Sequence, residues 1–104
     1  MLIQVTTKNF SDIIFNSKQT VLLSFLSSDK ETAKKQTETL HQFALQNPHI
    51  LVANIDSEKE LSLVTMYKSS PVGIPSVKVF KNGRCIASED GILSQQELLQ
   101  FVSK

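Results

Sequence analysis

The chain has 104 residues, enough for one core and one domain, and its 40% apolar and 20% charged composition suits a globular fold rather than a disordered one. Eleven basic residues against ten acidic ones leave a net charge of +1, which supplies no long-range field for nucleic acid or an anionic membrane surface. A single cysteine, Cys85, excludes an intrachain disulfide and a cysteine-based metal cluster.

No apolar stretch reaches the roughly 20 residues of a membrane helix. The first residues, Met1 to Lys8, show no basic start followed by a sustained apolar run, so no signal peptide is expected and a cytoplasmic setting is the simplest reading.

In chain order, Leu2-Ile3-Gln4-Val5 reads as a short strand. Asn9 to Ser17 carries Phe10, Ile13 and Ile14 at helical spacing, which predicts a short amphipathic helix. Val21 to Leu26 is almost continuously apolar, the pattern of a strand covered on both faces. A long helix is expected from Asp29 to Gln46, with Ala33, Thr37, Leu40, Phe43 and Ala44 facing the core and Pro48 ending it. Ile50 to Ile55 is a second buried strand. Ser57 to Lys68 follows a weaker helical pattern through Leu61, Val64 and Met66 or Tyr67. Ser76 to Phe80 and Arg84 to Ser88 flank Lys81-Asn82-Gly83, and Asn-Gly is the strongest short hairpin signal. The final helix opens at Ser94, whose spacing to Glu97 fits a capping box, with Leu98, Phe101 and Val102 inward. Buried strands joined by helices, then a hairpin and a helix, predict an α/β domain with helices on both faces of a mixed sheet.

Five segments in the right order, between the right elements, then carry a resemblance. They are Val21-Leu22-Leu23-Ser24-Phe25, Asn54-Ile55-Asp56, Gly73-Ile74-Pro75-Ser76, Phe80-Lys81-Asn82-Gly83, and Gly91 with Leu93-Ser94. Over nearly its whole length the chain resembles thioredoxin. Numbering the five expected strands β1 to β5 in chain order, the resemblance implies a thioredoxin-like fold with a mixed sheet in the order β1-β3-β2-β4-β5. It also implies a cis peptide before Pro75. Between Asp56 and Gly73 the chain runs a few residues longer than the family pattern, around Lys68-Ser69-Ser70-Pro71, beside the family's substrate groove.

The functional positions of that family fall differently here. Its Trp-Cys-Gly-Pro-Cys motif aligns with Asp29-Lys30-Glu31-Thr32-Ala33, so Lys30 replaces the attacking cysteine and Ala33 the resolving one. Ser24 takes the place of a buried aspartate, Leu26 of a tryptophan, and Glu38 of a helix-kinking proline. Dithiol exchange needs a thiolate and a second thiol to resolve the mixed disulfide. Neither is present at Lys30, Glu31, Thr32 or Ala33, so no catalytic residue is assigned and no cofactor is expected. Ser28-Asp29-Lys30-Glu31 instead has capping-box spacing, with Asp29 and Glu31 placing negative charge at the positive helix end.

Pro75 has two readings. With Ile74 it can expose backbone for pairing with an extended peptide, as the resemblance implies, or it can merely shape the turn before a strand. Together Ser28, Asp29, Ile74, Pro75, Asp90, Gly91 and Ile92 make a candidate peptide-binding surface, with Asp29, Glu31 and Asp90 giving it an acidic rim. Cys85, next to Arg84 and near Lys81, reads as a packing residue or as a lone thiol. His41 and His49 lack ligand spacing, and Lys30, Lys34 and Lys35 read as a solvated face, so no metal is expected. The expected function is a redox-inactive adaptor or chaperone-like module for a protein or peptide partner. A single-thiol oxidoreductase using Cys85 and a structural assembly subunit are the alternatives.

Overall fold

The computed structural model describes residues 2–26, 31–67 and 75–103, with Thr32 described in its backbone only. Five strands form one sheet: β1 Ile3–Gln4, β2 Thr20–Leu26, β3 Ile50–Asp56, β4 Ser76–Lys81 and β5 Arg84–Asp90. Their order is β1-β3-β2-β4-β5, as expected. β3 runs parallel to both β1 and β2, while β4 is antiparallel to β2 and β5 to β4.

Helices cover both faces: α1 Glu31–Gln46, α2 Leu61–Tyr67 and α3 Gln95–Val102. The continuous apolar run of β2 is explained by its position, since every residue from Val21 to Leu26 is buried between two clusters. On one face Leu22, Leu26, Val52, Val77 and Val79 meet Ala33, Leu40, Phe43 and Ala44 of α1 and Leu98, Phe101 and Val102 of α3. On the other, Val21, Leu23, Phe25, Ala53, Ile55 and Phe80 join Phe10, Ile14, Leu63 and Val64.

Four expectations need correction. On α1 it is Gln36 that is buried, at 1% exposure, while Thr37 is half-buried. Positions 36 and 37 both fit the 33-40-43 helical stripe, and a hydrogen bond, described below, selects the glutamine. The helix expected from Ser57 begins only at Leu61, because the Asp56 carboxylate accepts from the amides of Glu58 (3.0 Å) and Lys59 (3.2 Å) and holds a turn. Val64 and the partly buried Tyr67 face inward as expected, joined by Leu63, whereas Leu61 and Met66 are exposed. The helix expected over Asn9 to Ser17 is a five-residue π-helical turn, Ser11–Phe15, closed by Asn16 N–H donating to Ser11 O at 3.1 Å. Phe10 and Ile14 are buried there, and Phe10 packs edge-on against Phe15.

The Asn-Gly hairpin forms as expected. Asn82 (φ 54°) and Gly83 (φ 79°) both adopt the left-handed conformation that a two-residue turn demands. Beyond it, Phe80 faces Cys85 while Val79 faces Ala87, so Ile86 is the extra residue of a β-bulge. The final helix has its capping box: Ser94 Oγ accepts from Glu97 N–H at 3.2 Å, and Glu97 Oε1 accepts from Ser94 N–H at 3.0 Å. The Ser94 backbone N–H, and to a lesser degree the Ser94 side chain, holds the Glu97 carboxyl below its ordinary value.

Candidate functional site

Strand register assembles the site. Phe25 pairs with Ser76, and Ser76 with Asp90, so the end of β2, the start of β4 and the end of β5 share one margin of the sheet. Residues far apart in sequence meet there because β4 runs against both neighbours. The backbone bond from Gly91 N–H to Pro75 O, 2.6 Å long, ties the two sequence-predicted segments together. Gly91 has φ 100°, a conformation open to glycine and strained for other residues, with open space where a Cβ would stand. Beside it Ile92 is 50% exposed and Asp90 is exposed, while Pro75 is half-buried. Pro75, Asp90, Gly91 and Ile92 thus form one surface.

Ser28, Asp29, Lys30 and Ile74 lie outside the described residues, and with them the expected capping box at Ser28 and the peptide bond before Pro75. Lys68 to Pro71 lie outside as well. Glu31, the first residue of α1, is exposed and pairs with Lys34 at 3.5 Å, one turn on. Lys34 and Lys35 border an open hollow with Glu31 and Glu38 on the outer side of α1. Ala33 is 2% exposed and belongs to the same apolar cluster as Leu26 and Leu93.

Beneath α1 lies a polar cluster that sequence reasoning touched only at Ser24. Ser24 and Asn54 are 0% and 4% exposed and sit opposite one another in the β2–β3 register. Ser24 Oγ donates to Asn54 Oδ1 at 2.7 Å, and Leu26 N–H donates to the same oxygen at 3.1 Å. Asn54 Nδ2 donates to Gln4 Oε1 at 3.4 Å and to Leu26 O at 3.5 Å. Every member is neutral. The signal for this cluster was available only once the parallel register was known, because thirty residues separate its two halves.

Cys85 is exposed, at the start of β5. It pairs with Phe80, which pairs with Val21, so it stands level with the beginning of β2. The Pro75 margin lies level with Phe25, four residues further along, or about 13 Å at the usual strand rise. The Cys85 thiol donates weakly to Ala87 O at 3.5 Å. His41 and His49 are both exposed, and among the described residues no group of histidine, cysteine and acidic side chains is arranged to hold a metal. A hollow of about 320 Å³ at the ends of β1 and β3, lined by Gln4, Thr6, Asp56, Lys59 and Glu60 among others, was not anticipated from sequence. Among the described residues no helix is long and apolar enough to cross a membrane.

Comparison with known proteins agrees with this architecture. The thioredoxin family profile matches residues 1–104. A thioredoxin of Chlamydia trachomatis is 26% identical over 100 residues, covering 96% of this chain and 94% of its own length. Thioredoxins of two Buchnera aphidicola strains, from Baizongia pistaciae and Acyrthosiphon pisum, are 27% and 24% identical, covering 98% and 99% of this chain and 93% and 94% of their own. With the whole chain matched and the sheet order in place, the chain belongs to the thioredoxin family.

Proposed function

We propose that this domain binds extended protein or peptide segments, as an adaptor or chaperone-like module, and does not carry out dithiol exchange. The observation that carries the reading is the thiol inventory set against the geometry. The one cysteine, Cys85, is about 13 Å along the sheet from the Pro75 margin, where the family's chemistry is placed by resemblance. Ala33, at the position aligned with the resolving cysteine, is a methyl group packed in the core. A mixed disulfide formed at Cys85 would have no second thiol in the chain to resolve it.

The binding surface is the margin formed by Pro75, Asp90, Gly91 and Ile92. Its physical mode is backbone pairing beside the start of β4, with Ile92 giving an apolar contact and the exposed Asp90 favouring a basic or polar segment. The test uses reduced, carboxymethylated α-lactalbumin as an unfolded probe. Wild-type protein should bind it, and Ile92→Asp should weaken binding at least about fivefold, the loss of one apolar contact of roughly 1 kcal/mol. Equal binding by both proteins would sink the surface assignment. Insulin reduction, with Cys85→Ser as control, should show no activity in either protein. Activity present in wild type and lost in Cys85→Ser would establish the single-thiol alternative instead.

A further inference from the structure

The carboxamide of Gln36 is buried in the middle of α1, 1% exposed. Its Oε1 accepts from the Leu93 backbone N–H at 3.2 Å. Leu93 follows β5 and precedes the Ser94 cap of α3, so neither the sheet ladder nor the helix provides for its amide. The Gln36 Nε2 atom is buried and makes no hydrogen bond. Rotating the amide would set its NH₂ group against Leu93 N–H, so Leu93 determines the orientation. A methionine at position 36 would bury similar volume without an orphaned donor, and burying such a donor is costly. What the glutamine supplies is one acceptor, placed for Leu93.

The same loop is held at its other end, where Gly91 N–H donates to Pro75 O at 2.6 Å. Ile92, half-exposed, stands between these two anchors. A second glutamine offers a comparison. Gln95 Nε2 donates to Thr39 O at 2.6 Å and its Oε1 is likewise buried and unbonded, but it ties α3 rather than the loop to α1.

We propose that Gln36 is a positioning residue for the peptide-binding surface. It pins the loop to α1 at Leu93 while Gly91 pins it to Pro75, so that Ile92 is presented in one place to an apolar side chain of an extended partner. This rests on the peptide-binding reading above. The test is amide hydrogen exchange on the full chain, alone, for wild type, Gln36→Met and Gln95→Met. In Gln36→Met the Leu93 amide should exchange at least about tenfold faster, with Ile92 following, while Leu22 and Val52 are unchanged. Gln95→Met should leave Leu93 within about twofold of wild type.

An unchanged Leu93, or an equal rise across the central strands, would overturn the proposal. If Gln36→Met does not fold, wild type decides: Leu93 should be at least about tenfold protected over an unstructured amide, and an unprotected Leu93 would refute the anchor. Gln36→Met should also bind the α-lactalbumin probe several-fold more weakly, and undiminished binding would refute the role in recognition. If wild type binds no probe, the peptide-binding reading falls and the recognition role with it, while the exchange data still decide the anchor separately.

Discussion

The Ser24–Asn54 cluster yields the sharpest stability prediction. Replacing Asn54 with alanine removes Oδ1, which accepts from Ser24 Oγ and Leu26 N–H, and Nδ2, which donates to Gln4 Oε1 and Leu26 O. Ser24 keeps a second acceptor, Ala53 O at 3.3 Å, so its hydroxyl is not stranded. The Leu26 amide loses its side-chain acceptor but stays within the β2–β3 ladder opposite Asp56, and the loss of the buried bonds of the Asn54 carboxamide costs about 1–3 kcal/mol. The volume emptied at this buried position, paired on both sides, adds a cavity contribution that brings the total to roughly 2–4 kcal/mol. Ser24→Ala should cost only about 1 kcal/mol, since Asn54 continues to serve Leu26. Urea unfolding followed by circular dichroism measures both, with unchanged slopes indicating that only stability has moved. A loss under about 1 kcal/mol for Asn54→Ala, or equal losses for the two variants, would refute the view that the Asn54 carboxamide, bonded through both its atoms, holds the cluster together.

Three further outcomes are expected. Leu63→Ala should destabilise by about 2–4 kcal/mol in the same assay, whereas Leu61→Ala, at an exposed position, should fall within about 0.5 kcal/mol of wild type. The Glu97 carboxyl is held below its ordinary value of 4.5, so its capping contribution is present above that pH and is lost as pH falls through the lower folded value. Thermal melts of wild type and Glu97→Gln should therefore differ at pH 7 and converge in acid, and a difference that persisted undiminished well below pH 4 would contradict the capping assignment. Gly83→Ala meets both a left-handed φ of 79° and the Phe15 carbonyl oxygen, 3.2 Å from the added Cβ, and should cost roughly 1–2 kcal/mol in urea unfolding.

The strands and their neighbours were legible because their signals are local. The short, nearly continuous apolar run at Val21 to Leu26 marks a covered strand, and Asn82-Gly83 permits a tight turn by its backbone freedom alone. The α3 cap was legible for the same reason, since Ser94 and Glu97 are three residues apart. Helix faces were less so. At Leu61 and Met66 hydrophobicity suggested burial, but the helix begins only after the turn held by Asp56, and Leu63 turns inward beside the expected Val64. At α1 the expected core face included Thr37, and a single distant amide, on Leu93, instead holds Gln36 in the core.

The amino-acid sequence by itself determined the thiol inventory of this chain. One cysteine is a covalent fact that no folding alters, and two thiols are needed to make and release a mixed disulfide. It also determined the order of elements, because periodicity and turn residues act over a few positions. Only the tertiary structure decided which residues stand together: Pro75 with Gly91, Ser24 with Asn54, Gln36 with Leu93, and Cys85 at the far end of its sheet from the Pro75 margin. Those pairings depend on strand register and on one chain segment closing over another. A buried polar group then settles on whichever partner that closure brings within reach, since leaving it unpaired is costly.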